Sequence, residues 1–151
     1  MTASKASRFL DSPLLLVCLI LFTGLLAVKA YTLYAASNAP AFRGWDWSRH
    51  PQTLLVAYPS PSCGCGPTVP AAVRQGLAHH LDVLVVTDLT GKDAAALTTG
   101  LPDTHVHLIA EIGQSFMHRL SPNGKTALKM VRQGRVTRIL TGGVIPDGFF
   151  Q

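Results

Sequence analysis

Hydrophobic positions divide the chain into one long apolar run and a series of short ones. The long run, Leu14 to Ala36, holds 23 residues and a single charge, Lys29. A helix of roughly 20 apolar residues spans a hydrocarbon core, and a lysine in its last two turns can extend to the headgroups. Tyr31 and Tyr34 are typical of the membrane interface. We therefore expect a tail over 1–12 and one transmembrane anchor over 13–36.

A cleaved signal peptide is the competing interpretation of this run. Small residues flank Lys29, but a lysine at the cleavage site and apolar residues beyond it fit that interpretation poorly. Basic residues are almost balanced on the two sides of the run, so they set no orientation. The short tail favours a cytoplasmic N-terminus. We expect a single-pass protein of the inner membrane with its domain in the periplasm, an oxidising compartment.

Beyond a connector over 37–51, rich in turn-forming residues, strands and helices alternate through a domain over 52–151. Because a helix joins the first two strands, they should be parallel. The pattern predicts an α/β fold with a mixed sheet of four or five strands. The predicted strands are 53–58, 81–87, 104–109, 125–131 and 135–140, and the predicted helices are 67–80, 91–100 and 111–120.

Two cysteines stand where the first strand of the domain turns into a helix. Cys63 and Cys65 lie in a loop of glycines, prolines and serines, and the third cysteine, Cys18, lies in the apolar run. Amide donors and the positive end of the helix dipole lower the pKa of a thiol at such a position. Gly64 and Gly66 allow a tight loop. The pair therefore predicts a thiol–disulfide site, whereas a net charge of +5 is too small to predict nucleic-acid binding.

This order of elements resembles the thioredoxin superfamily, specifically the membrane-anchored thioredoxin-like proteins of bacteria. The resemblance covers roughly 52–142 and rests on the first strand, the cysteine loop, the helix with Pro70, the second strand and the closing hairpin. It implies a thioredoxin-like sandwich and a thiol–disulfide oxidoreductase with Cys63 and Cys65 as catalytic residues. Protein thiols or disulfides would be its partners, with no cofactor and no metal. Inactive relatives of the family serve in docking, so a redox-inactive subunit of a larger membrane complex is the alternative.

Three departures from the family pattern change these expectations. The family spacing is Cys-x-x-Cys, whereas one residue separates the cysteines here, and Cys65-Gly66-Pro67-Thr68 places a threonine in the resolving position. The position of the family's cis-proline is held by Lys125 or Thr126. The last helix is missing after Leu140, so one face of the sheet is expected to be open or covered by a partner.

The short cysteine spacing sets the expected redox behaviour. A Cys-x-Cys disulfide closes a very small ring, so we expect a strained, readily reduced bond that oxidises or isomerises a client. Cys65, nearer the helix amides, is the candidate for the more acidic thiol. Cys63 would then resolve the mixed disulfide, or the two roles are reversed.

Metal handling and docking remain as alternatives. Thiolates together with imidazoles suit copper or zinc, although no histidine lies at a diagnostic spacing from the cysteines. Trp45-Asp46-Trp47 would either pack on the edge of the domain or dock a partner. Basic residues near the hairpin would form a solvated face or meet anionic lipid or an acidic partner. These basic residues are Arg119, Lys125, Lys129, Arg132, Arg135 and Arg138, and the histidines are His50, His79, His80, His105, His107 and His118.

Overall fold

A computed structural model describes residues 13–60, 68–102 and 104–151, except for the side chains of 13–15 and 32–37. Two compact units divide the chain, one ending at Asn38 and the other beginning at Ala39. Each unit is a separate body, and the sheet and the candidate site both belong to the second.

The first unit contains one helix, α1, Pro13–Ser37. Its described side chains run from Leu16 to Tyr31 and are exposed. The hydroxyl of Thr23 donates to the carbonyls of Leu19 and Ile20, so this polar group is satisfied within the helix. Within the described residues, no helix has both the length and the apolar character needed to cross a membrane. The transmembrane helix expected over 13–36 is therefore not supported.

The second unit is built on a five-stranded mixed sheet with the order β3-β2-β1-β4-β5. β1 pairs in parallel with β2, and β2 with β3, whereas β4 is antiparallel to both β1 and β5. The predicted mixed α/β sheet, its parallel first pair and its closing hairpin are confirmed. The strands are β1 Gln52–Tyr58, β2 Asp82–Thr87, β3 Val106–Ile109, β4 Ala127–Arg132 and β5 Arg135–Thr141; the helices are α2 Val69–Ala78, α3 Gly91–Ala96 and α4 Gln114–Leu120.

On the first face of the sheet, α2 packs against β1 and β2. Leu54 and Val83 are completely buried beneath it. Helix α2 and strand β1 approach each other closely at Gly76, where an added Cβ would lie 2.8 Å from Leu54 Cδ2. Phe149 and Phe150 also pack into this layer, although the described residues after β5 form no helix. Two aromatic side chains of the tail thus complete the covering of this face.

The second face is covered by α4 and by the segment that precedes β1. Leu55 of β1 and Leu84 of β2 are completely buried in this layer, with Phe42 over them. The Phe42 ring meets Phe116 of α4 edge to face at 5.6 Å. The expectation of an open face, or one that needs a partner, is wrong over β1 and β2, because the chain itself supplies the cover.

The two tryptophans before β1 belong to this same layer. Trp47 donates from Nε1 to the carbonyl of Pro40 at 3.0 Å, and its ring meets Trp45 edge to face at 5.9 Å. Both indoles are half-buried and pack against the second face. Residues 39–51, expected as a connector, are thus part of the unit that contains the sheet.

Candidate functional site

The loop predicted to carry the reactive thiols joins the central strand β1 to helix α2. Pro59 and Ser60 follow the end of β1, and Thr68 is the N-cap of α2 with an extended backbone, φ −64° and ψ 145°. Pro70 lies in the first turn of the helix, where a missing amide hydrogen breaks no helical bond. Cys63 and Cys65 belong to 61–67 and lie outside the described residues.

A carboxylate of the neighbouring strand fixes the start of this loop. Asp88 directly follows β2, and its Oδ1 accepts a hydrogen bond from the backbone N–H of Ser60 at 2.7 Å. The carboxyl ends of parallel strands meet at one edge of a sheet, so β1 and β2 bring the two residues together. A hydrogen bond to a charged acceptor is stronger than a neutral one, and Asp88 therefore anchors the loop where it leaves β1.

A cleft of about 490 Å³ opens beside this anchor. One wall is the end of the β1 and β2 layer and the other is α4 with the turn before β4. Its lining offers amide, hydroxyl, imidazole and carboxylate groups, which can hydrogen-bond a polypeptide backbone lying next to the cysteine loop. The lining residues are Pro59, Ser60, Asp88, Gln114, Ser115, Met117, His118, Ser121 and Gly124.

The turn before β4 leads into Lys125 and Thr126, the two positions matched to the family's cis-proline. Ser121 is buried, and its hydroxyl donates to the carbonyl of Lys125, which closes the turn. Gly124 has φ +62°, a left-handed conformation that glycine adopts readily. Thr126 is buried next to the first residue of β4. Ser121 and Gly124 of this turn line the cleft together with Ser60, and neither Lys125 nor Thr126 is a proline.

A second polar cluster lies at the other end of the strands, where β1 and β2 begin. Asp82, at the start of β2, is hydrogen-bonded to two histidines. Its Oδ2 lies 2.9 Å from Nδ1 of His50, and its Oδ1 lies 3.0 Å from Nδ1 of His105. Trp45 stacks on His50 with ring centres 4.1 Å apart, and the ring of His107 lies 4.9 Å from that of Trp45. One carboxylate thus links the segment before β1 to the starts of β2 and β3.

Two opposing effects act on the pKa of Asp82. Partial burial raises it, but hydrogen bonds from His105 and His50 and the charges of these two histidines lower it. The net result is a lowered pKa, so the carboxylate stays ionised. β1 separates this cluster from the cysteine loop by roughly 20 Å, the length of six to seven extended residues. The cluster is therefore not part of the cleft.

The histidines considered under the metal-handling alternative lie apart in the described part of the chain. Among the described residues, no group of three or more histidine, cysteine or carboxylate side chains is arranged to hold a metal ion. His105 is bound to Asp82, whereas His107 contacts Trp45 and His50. His79 stacks on Phe150 at 4.7 Å. His105 precedes β3 and His107 lies within it, and their contacts bring no ligand set together in this part of the chain.

The contacts of Asp82 and Asp88 and the place of His118 in the cleft were not predicted from the sequence. One signal was available for Asp88, because an aspartate at the end of a strand parallel to β1 must lie near the residues that follow β1. Comparison with protein-family models and with curated proteins finds no match. The likeness to the thioredoxin superfamily accordingly stays a prediction from the residues.

Proposed function

We propose that the chain is a membrane-anchored thiol–disulfide oxidoreductase whose reactive groups are the thiols of Cys63 and Cys65. One observation carries the proposal: their loop leaves the central strand at Ser60, beside a cleft, and rejoins the described chain at Thr68, the N-cap of a ten-residue helix. Free amides and the positive dipole at such a helix start stabilise a thiolate. A thiolate is the form of cysteine that attacks disulfides.

The exchange itself needs no group other than the two cysteines and a client. A thiolate of the client attacks one sulfur of the Cys63–Cys65 disulfide, forms a mixed disulfide and releases the other cysteine as a thiolate. A second client thiolate then attacks the client sulfur of the mixed disulfide and releases the second cysteine. The client leaves with a disulfide, the pair is reduced to two thiols, and two electrons have moved from the client to the pair.

The described residues supply binding and positioning for this reaction. The cleft presents polar groups of α4 and of the turn at Ser121 to Gly124 on one side, and Ser60 on the other. A client segment that contains a cysteine would lie between them. Asp88 holds the first residue of the loop and so limits the positions that the cysteines can take.

Localisation follows from the apolar run in the sequence. The described side chains of α1 offer no apolar stripe opposed by a polar face, and a helix that is apolar all round is suited to lipid or to an apolar interior. In this proposal the run over 14–36 holds the protein at the inner membrane with the domain in the periplasm. Cysteines in that compartment form and keep disulfides.

Thiol labelling of the full-length chain in detergent tests the activity. In denaturant without reductant, we expect an alkylating reagent to add one label, on Cys18, and after reduction to add three. The oxidised protein should also convert a reduced dithiol peptide to its disulfide. Cys63→Ser and Cys65→Ser should each abolish this stoichiometric conversion, whereas the matched control Cys18→Ser should leave it unchanged.

The opposite result has a distinct signature. Three labels without reductant, in protein exposed to air, together with a dithiol peptide that remains reduced, would contradict the redox assignment. A redox-inactive docking subunit would then replace it. Metal analysis of the anaerobically purified protein distinguishes copper or zinc handling, since a bound metal protects the thiols from labelling and is released by a chelator.

A further inference from the structure

The outer edge of β5 has the properties of a strand-addition surface. β5 is the terminal strand of the sheet. Because the N–H of Ala39 donates to the carbonyl of Gly134, directly before β5, the chain itself borders the start of this edge. The rest of the strand, 137–141, presents roughly 17 Å of edge at 3.3 Å per residue. None of these residues is buried. Alternate backbone amides and carbonyls on the outer side of a terminal strand are available to pair with another chain.

The two faces of this edge differ in chemistry. Residues opposite each other in neighbouring strands share a face, so Arg138, opposite the core residue Met130, projects on the first face. Arg135 lies on the same face, opposite Arg132. On the second face lies Ile139, which is 57% exposed. The edge is therefore cationic on one face and apolar on the other.

The strands that carry this cationic face contain no acidic residue. Neither β4 nor β5 contains an aspartate or a glutamate. None of the ion pairs found among the described residues involves Arg132, Arg135 or Arg138. Arg138 instead donates to the backbone carbonyl of Gly148, a neutral acceptor that leaves the charge uncompensated.

We propose that β5 binds an extended segment of a partner protein in which acidic and apolar residues alternate. Such a segment would add as a sixth strand. Its acids would face Arg135 and Arg138, and its apolar side chains would cover Ile139. A second copy of this chain fits less well, because pairing two β5 strands would place arginines against arginines, and like charges opposed across strands are destabilising.

The probe is a seven-residue peptide that alternates glutamate and valine, with blocked ends and a fluorophore. Fluorescence anisotropy with the full-length chain in detergent should show binding that weakens with added salt. Arg135→Glu with Arg138→Glu should weaken binding by about tenfold or more, since two attractive charge pairs become repulsive. Arg74→Glu, an exposed charge change on α2, is the matched control and should retain binding apart from a small general effect of net charge.

A methylated peptide separates strand addition from charge attraction alone. N-methylation of every amide removes the hydrogen-bond donors and places methyl groups along both edges of the peptide, so it cannot pair with β5 in either direction, while its charges are unchanged. We expect this peptide not to bind. Binding as tight as that of the unmodified peptide, or binding of vesicles that contain anionic lipid with no binding of the peptide, would overturn the proposal. Far-ultraviolet circular dichroism confirms that each variant is folded. Ile139→Asn keeps the charges and removes the apolar contact with the peptide, so it tests that contact separately.

Discussion

The carboxylate shared by two histidines gives a quantitative prediction for Asp82→Asn. The substitution keeps one carbonyl acceptor but turns an NH₂ group toward the other imidazole. The contact with His50 joins side chains that are 26% and 22% exposed, whereas His105 is 64% exposed. A hydrogen bond to a charged group contributes about 1.5–3 kcal/mol when shielded, and an exposed pair about 0–1 kcal/mol. We expect Asp82→Asn to lower the free energy of unfolding by about 1–2 kcal/mol.

The effect should depend on pH in a defined direction. Native contacts lower the pKa of Asp82, so its contribution is complete above the unfolded-state pKa of about 3.9 and is lost as the pH falls through the lower native value. The difference between the wild type and Asp82→Asn should therefore be about 1–2 kcal/mol at pH 7 and should shrink below about pH 4.

Tryptophan fluorescence during urea and thermal unfolding of the full-length protein in detergent measures this difference, because Trp45 stacks directly on His50. The expected change corresponds to a fall in Tm of roughly 4–8 °C. Asp147→Asn, at an exposed aspartate, is the matched control. Equal stability of the two variants at pH 7 would refute the assigned role of Asp82. A difference that persists unchanged at pH 3 would refute its electrostatic origin.

Two further substitutions test the elements that position the cysteine loop. Gly76→Ala should gain about 1 kcal/mol of helix propensity but lose about 1–3 kcal/mol, because its Cβ would lie 2.8 Å from Leu54 Cδ2 and 3.0 Å from Val83 Cγ2. We expect net destabilisation in urea unfolding, and a more stable variant would show that α2 packs loosely. Asp88→Ala should free the Ser60 amide and change the alkylation rate of the reduced cysteine pair severalfold. Because this hydrogen bond is exposed to water, the stability loss should be no more than about 1 kcal/mol. Asp88→Asn keeps an acceptor, so its alkylation rate should lie between those of the wild type and Asp88→Ala. An unchanged rate in both variants would contradict the anchoring role.

The sheet was predictable because its strands carry strong local patterns. β1 and β2 are nearly continuous apolar runs, as expected for strands covered on both faces, and Gln133-Gly134 marks the hairpin between β4 and β5. The covering of the second face was not predictable from local pattern. Phe42 and Trp47 stand in a stretch rich in turn residues, and only the tertiary structure shows that they pack over Leu55.

The candidate site was predictable only in part. The strand–loop–helix order located the loop from the sequence, and the described residues on both sides agree with that order at Ser60 and Thr68. Cys63 and Cys65 lie outside the described residues, so their pairing stays a prediction. The contacts of Asp82 and Asp88 depend on which strands are neighbours. That pairing is a property of the sheet and not of any short stretch of sequence.

The aromatic side chains before β1 limit where the second unit can be cleaved without exposing its core. A cleavage just before Gln52 would leave every strand intact, yet it would remove Phe42, Trp45 and Trp47 and bare the leucines beneath them. The remaining fragment would expose an apolar sheet surface, which promotes aggregation. A protease that cuts within this segment is therefore expected to cause aggregation without cutting any described strand.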